Sequence, residues 1–223
     1  MSKEREALAQ LFDHTYLKPW ATAPTIDLIC QEAIDNNFYS ACVYGYWVNY
    51  IRENFPELRI VQVLNFPDGL SLSNTDTLAQ IQSEANEYDI VMNISKLKER
   101  KLDEVTDELK AVKAYAGKKV LKVIVESAVL TQDELYTAID VVADSKADFI
   151  KTSTGIMIQQ PSESLIDQVA HIAAYIKLHS IPLSIKASGG IKSLSLIKVL
   201  IGLGVTRIGS SNCVQILKEL GDN

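Results

Sequence analysis

Cysteine is scarce in this chain: Cys30, Cys42 and Cys213 are the three in 223 residues. The number is odd and the spacing wide, with no Cys-x-x-Cys pair and no His/Cys cluster. That excludes a disulfide framework and gives no zinc ligand set, and unpaired thiols fit a reducing compartment. No segment approaches the roughly 20 apolar residues that span a bilayer. The charged start, Met1-Ser-Lys-Glu-Arg-Glu-Ala7, lacks the apolar centre of a signal peptide, so a cytoplasmic protein is expected. Positive charge is in deficit, with 22 Lys and Arg against 28 Asp and Glu and a net charge of −6. A mildly acidic surface argues against nucleic-acid or anionic-membrane partners, though a local basic pocket for a phosphorylated metabolite is compatible with it.

What is present is alternation. With 47% hydrophobic residues, the chain can bury one large core. Strand-like runs are predicted near Leu11–Tyr16, Ser40–Tyr44, Ile60–Phe66, Tyr88–Ile94, Val120–Glu126, Phe149–Thr154, Leu183–Ala187 and Thr206–Gly209. Several are almost continuously apolar, as expected for parallel strands covered by helices. Helical periodicity lies between them: Leu165, Val169, Ile172 and Ile176; Leu135, Ile139 and Val142; Leu194, Ile197 and Ile201. Helix starts are signalled by Thr131-Gln-Asp-Glu134, which has capping-box form, by Pro161-Ser-Glu163 and by Ser193. Eight units of about 28 residues match a (β/α)₈ TIM barrel, a single domain over residues 1–223. An open doubly wound sheet shares the alternation, but it would carry Gly-x-Gly-x-x-Gly after the first strand, and its unusual residues would gather at one switch point. Lys96–Lys101 reads as a solvated loop.

Two lysines stand out. Lys151 is third in Phe149-Ile-Lys-Thr-Ser-Thr-Gly155, and Lys186 is third in Ser184-Ile-Lys-Ala-Ser-Gly-Gly190. A strand lysine is unusual because a buried ammonium must be paired or neutralised, and a neutral lysine is a nucleophile toward carbonyls. For a lysine to be half neutral near pH 7.5 costs roughly 4 kcal/mol. A second ammonium about 5 Å away contributes roughly 3 kcal/mol of that. Lys151 is the expected Schiff-base nucleophile, with Lys186 as the neighbouring cation. Asp89, inside Tyr88-Asp-Ile-Val-Met-Asn-Ile94, is the expected proton carrier through a water, a role compatible with pairing to Lys186. The competing reading is purely structural, both lysines held in ion pairs inside the barrel.

Barrel sites lie at the carboxyl ends of the strands. The polar residues gathered there are Asp13, His14, Cys42, Asn65, Asp89, Asn93, Lys122, Glu126, Lys151, Lys186 and Gly209-Ser-Ser211. Gly189-Gly190 and Gly209-Ser210-Ser211-Asn212 follow strands seven and eight, the usual barrel phosphate cradle. Cys42 reads as core packing and His14 as a satisfied structural histidine. Lys122 either joins the charge network or pairs with Glu126. Trp20, Tyr46 and Trp47 either wall the pocket or pack under loops.

These motifs, together with Leu121-Lys-Val-Ile-Val-Glu126 and Asp13-His-Thr15, resemble those of the deoxyribose-phosphate aldolase family, from about residue 11 to residue 217. The resemblance implies a metal- and cofactor-independent class I aldolase of deoxyribonucleotide catabolism. It would reversibly cleave 2-deoxy-D-ribose 5-phosphate to acetaldehyde and D-glyceraldehyde 3-phosphate. It matches Lys151 to the Schiff-base lysine, Asp89 to the proton relay and Lys186 to the lysine that eases deprotonation of the nucleophile. Gly155, Gly189, Gly190, Gly209, Ser210 and Ser211 match the phosphate loops, and Cys42 matches a cysteine near the substrate pocket. Departures are Asn65-Phe-Pro-Asp-Gly69, where a glycine commonly starts the motif, Leu70–Thr75, Ile156-Met157 and Gly45 in place of proline. They bear on phosphate affinity and substrate range. Another phosphosugar enzyme on this barrel and a non-catalytic phosphometabolite binder remain as alternatives, and a homodimer is compatible with the sequence.

Overall fold

The computed structural model describes residues 3–156 and 163–221. Met157 and Pro161, singled out above, lie outside them. Eight parallel strands close into a barrel in chain order: β1 (Phe12–Thr15), β2 (Ser40–Tyr44), β3 (Ile60–Leu64), β4 (Glu87–Val91), β5 (Val120–Ile124), β6 (Phe149–Lys151), β7 (Ser184–Ser188) and β8 (Val205–Ser210). The helices are α1 (Lys3–Ala9), α2 (Ala23–Asp35), α3 (Val48–Asn54), α4 (Asn74–Ala79), α5 (Ile94–Lys98), α6 (Leu102–Ala116), α7 (Gln132–Asp144), α8 (Leu165–His179), α9 (Leu194–Gly202) and α10 (Cys213–Lys218). An open sheet is excluded because β1 pairs with both β2 and β8.

The helices form where their apolar stripes can be buried. Leu135, Ile139 and Val142 of α7 face the core, as do Val169 and Ile172 of α8. On α9 the stripe is Leu194, Ile197 and Leu200; Ile201, expected on that face, is exposed one residue before the helix ends. The Thr131–Glu134 capping box and the Ser193 cap are present. Helix α8 is capped by Ser164, whose side chain accepts from Asp167 N. Lys96–Lys101 is only partly loop: its first half belongs to α5, held down by buried Leu97.

Strands β3, β4, β5 and β6 end two or three residues earlier than the apolar pattern implies, and after the first three, polar residues turn the chain out of the sheet. Asn65, after β3, has φ +51°, and Glu126, after β5, has φ +47°. Asn93, after β4, caps α5 by accepting from Lys96 N at 3.0 Å. After β6 the small residues stay joined to the end of β7, largely through side chains. Thr152 Oγ1 donates to Ser188 O at 3.0 Å, and Ser188 Oγ donates to Ser153 O at 2.6 Å. Thr152-Ser153-Thr154-Gly155 and Ala187-Ser188-Gly189-Gly190 are therefore knitted together directly above the two lysines.

Candidate active site

Successive strand residues point to opposite faces, so residues two apart share the barrel interior. That parity brings together Asp13, Ser40, Glu87, Asp89, Lys122, Lys151, Lys186 and Arg207, all buried. A register irregularity between Ile185 and Lys186 opposes Lys186 to Arg207 of β8, as a bulge would re-aim a side chain.

Asp89 is the hub. Its Oδ1 accepts from Lys122 Nζ at 2.9 Å. Its Oδ2 accepts from both Lys151 Nζ, at 2.9 Å, and Lys186 Nζ, at 2.7 Å. Asp13 takes Lys186 on one oxygen, and on the other Ser40 at 2.7 Å and Arg207 at 2.9 Å. Glu87 lies 2.6 Å from Lys122 and accepts from Tyr39 Oη at 2.7 Å. Three carboxylates thus face four cations. Lys122 and Lys186 each touch a second carboxylate at close range. Lys151 has Asp89 as its one ion-pair partner among the described residues, on an oxygen it shares.

The field in this column orders the charges. Burial raises the Asp89 carboxyl, but Lys122, Lys151 and Lys186 together outweigh it and hold it well below the usual carboxylate range. Asp13 is likewise pushed up by burial and pulled below its ordinary value by Lys186, Lys122 and Arg207. Burial acts downward on Lys186 and Lys122, yet Asp13 and Asp89 keep both above an ordinary lysine. Stability inherits these directions. The lowered carboxylates contribute above the unfolded range near pH 4, and that contribution is lost as pH falls through their folded values. The raised lysines contribute in full below about pH 10 and lose this as pH rises further. His14, held below its ordinary value by burial despite its Glu32 partner, adds a loss below about pH 6.5. The urea midpoint is expected to be level between about pH 7 and 9, to sag below about 6.5 and to fall steeply under about 4. A steep slope inside the level window would contradict this assignment of charges.

Only Lys151 of the column reaches the surface of a cavity, with 3% of the residue exposed. The cavity, of about 400 Å³, opens at the carboxyl ends of the strands. Gly155, Gly189, Gly190, Gly209, Ser210 and Ser211 line it, and Lys18 and Lys192 add positive charge. Gly189 has φ +89°, and a Cβ there would sit 3.2 Å from Ser153 Cβ. The Ser210 hydroxyl is already committed: it donates to Ile191 O at 2.8 Å and accepts from Asn212 N at 3.0 Å. Ser211 is exposed.

Of the other expected residues, Cys42 lies within the field of the column, and most of the rest turn elsewhere. Cys42 is fully buried among Leu17, Val61 and Val63, and burial raises its thiol. His14 turns to Glu32 at 2.8 Å and to the Phe38 ring. Asn65 donates to Thr77 and Glu108, both at 3.0 Å. Glu126 accepts from Thr154 rather than pairing with Lys122, which joins the column instead. Trp47 and Tyr46 line a neighbouring groove of about 530 Å³ with Lys18, Tyr44 and Phe66, whereas Trp20 is exposed beneath Lys18. Gly45 has a steric reason for replacing a ring: a Cβ there would meet Gln62 Nε2 at 2.5 Å.

Glu87 and Arg207 are column members that the sequence reading omitted. Both were within reach of the period-two rule, since Glu87 is two before Asp89 and Arg207 two before Gly209. Glu87 fell one residue before the strand that the apolar pattern indicated, while Arg207 lay inside its expected strand. Among the described residues no group of three or more His, Cys, Asp or Glu side chains is arranged to hold a metal ion, and no helix is long and apolar enough to cross a membrane.

Comparison with known proteins agrees with this geometry. The pattern of the DeoC/LacD family aldolase matches residues 10–201. Deoxyribose-phosphate aldolase of Mycoplasmoides pirum is 41% identical over 214 residues, 94% of this chain and 96% of its own length. That of Mycoplasmopsis synoviae (strain 53) is 38% identical over 217 residues, 94% and 95% of the two chains. The tetrameric deoxyribose phosphate aldolase of Aeropyrum pernix superposes with a TM-score of 0.86 at 25% identity, covering 100% of this chain and 99% of its own. With a lysine-bearing closed barrel matched along almost its whole length, the chain belongs to the DeoC/LacD family of aldolases.

Proposed function

We propose that this protein is a class I aldolase that reversibly cleaves 2-deoxy-D-ribose 5-phosphate to acetaldehyde and D-glyceraldehyde 3-phosphate. One observation carries the assignment of roles: of the three lysines on Asp89, Lys151 alone faces the cavity and lacks a second carboxylate. An excess positive charge in a dry column is shed most easily by the member with the fewest partners and a route to water. Lys151 is the amine that becomes nucleophilic, while Lys186 keeps its proton and disfavours a second one on Lys151.

The chemistry follows. The neutral Lys151 amine adds to the C1 aldehyde of the open-chain sugar, and loss of water gives an iminium. The C3 hydroxyl yields its proton, the C2–C3 bond breaks, and the electron pair enters the iminium to form an enamine. Glyceraldehyde 3-phosphate departs. Protonation at C2 and hydrolysis release acetaldehyde and restore the amine. Asp89 moves protons through a water for the carbinolamine and enamine steps. Backbone N–H groups at Gly155, Gly189, Gly190, Gly209 and Ser211, with Lys18 and Lys192 nearby, receive the phosphate.

The direct test is borohydride reduction with deoxyribose 5-phosphate followed by peptide mapping. A reduced adduct on Lys151 is expected, and an unmodified protein would rule out imine chemistry. Gly189→Ala forces a strained backbone and crowds Ser153, so KM for the phosphorylated sugar is expected to rise roughly tenfold with kcat little changed. An unchanged KM in steady-state kinetics would remove Gly189 from phosphate binding. The proposal extends to a cytoplasmic location and a homodimer, the latter checked by sedimentation velocity.

A further inference from the structure

Glu87 and Arg207 have no task in the mechanism above, and neither lines the cavity. Both are nevertheless charged and buried, which is unfavourable unless the charges are well partnered. Their partners lead to Lys151. Glu87 lies 2.6 Å from Lys122, which donates to Asp89 Oδ1 at 2.9 Å. Arg207 donates to Asp13 at 2.9 Å, and Asp13 holds Lys186, which donates to Asp89 Oδ2 at 2.7 Å. Both routes end on the carboxylate that holds Lys151. Tyr39 anchors their far end. Its hydroxyl donates to Glu87 at 2.7 Å, and its ring lies 3.2 Å from the Arg207 guanidinium and 4.0 Å from that of Arg59.

We propose that Glu87 and Arg207 are positioning residues that act through Lys122, Asp13 and Asp89 to set, with opposite signs, how readily Lys151 gives up its proton. The inference rests on Lys151 being the imine-forming amine. The charged or titratable groups facing Lys151 are Asp13 of β1, Cys42 of β2, Glu87 and Asp89 of β4, Lys122 of β5, Lys186 of β7 and Arg207 of β8. Strand β3 contributes Val61 and Val63, while Lys18 and Lys192 line the cavity above. Water does not screen charges inside the column, so a charge removed at the closed end is felt at the open end. Neutralising Glu87 leaves the column more positive and makes a protonated Lys151 less favourable. Neutralising Arg207 does the reverse.

The experiment is the pH dependence of kcat/KM for deoxyribose 5-phosphate in the native protein and in Glu87→Gln, Arg207→Gln and Arg207→Lys, with borohydride trapping run alongside. The acid limb is expected to move down by at least about half a pH unit in Glu87→Gln and up by a similar amount in Arg207→Gln. It is expected to return to within about 0.2 unit of native in Arg207→Lys, which keeps the charge. Limbs that coincide with native, or that move the same way in both neutralised variants, as general loosening would produce, overturn the proposal. If Glu87→Gln does not fold, the Arg207 pair decides alone. A native protein that traps no sugar on Lys151 removes the function reading, and this inference with it. Trapping with unmoved limbs removes this inference only.

Discussion

Lys151→Ala is expected to turn over deoxyribose 5-phosphate at no more than about 10⁻⁵ of the native rate, the scale on which loss of a covalent nucleophile is felt. The loss should lie almost wholly in kcat, because the phosphate loops are untouched, and sugar phosphate should still bind. It is not a general collapse of the barrel that is foreseen. Lys151 donates one bond to Asp89, and without it Asp89 keeps Lys122 and Lys186. Three carboxylates would then face three cations, an electrically balanced column, so the urea midpoint should hold or rise. Stopped assays with product trapping, paired with urea unfolding, check both halves. A variant with measurable turnover and no imine would show that another group performs the chemistry. A variant that binds no sugar phosphate would show that Lys151 serves ground-state binding.

Asp89→Asn should be damaging in a different way. The amide leaves Lys122, Lys151 and Lys186 around a neutral group, and only Asp13 and Glu87 remain to balance four cations. Breaking a buried charge network in this manner costs about 3–5 kcal/mol, so a marked fall in the urea midpoint is expected. Catalysis should fall by roughly 10²–10⁴-fold as well, the usual contribution of a positioned acid–base group. Yet Lys151, surrounded by more positive charge, should shed its proton more readily, so imine trapping with borohydride should survive and extend to lower pH. Turnover lost with trapping retained is the signature of a proton carrier. Loss of both together would make Asp89 an organiser of the nucleophile rather than a carrier. A destabilised protein with native turnover would make the residue structural.

The ion pairs that the competing structural reading requires are present. Lys151 and Lys186 both sit in ion pairs inside the barrel, and so does Lys122. What separates a structural ion-pair network from a reactive one is imbalance. Here the cations outnumber the carboxylates, and the cation with the weakest claim on a partner is the one with access to the cavity. No inspection of the strands one at a time reveals that count, because the seven charged residues come from β1, β4, β5, β6, β7 and β8.

The repeating strand and helix pattern, and the lysines at the third positions of Phe149–Lys151 and Ser184–Ser188, were legible in the sequence alone. Local periodicity governs which face of an element is buried, and a lysine inside an apolar strand is conspicuous wherever the strand ends up. The capping box at Thr131 was legible for the same local reason. Tertiary structure decided what depends on closure. Pairing β1 with β8 brings Asp13 to Lys186, 173 residues away. The outward turns at Asn65 and Glu126 withdrew two residues that strand-end position alone had assigned to the site. Glu87 entered the interior because β4 begins one residue earlier than the apolar pattern indicated, whereas Arg207, already inside its expected strand, acquired partners only when closure set it against Asp13. A chain specifies its elements through neighbours a few residues apart, whereas the field at Lys151 is a sum over charges that meet only when the eighth strand returns to the first.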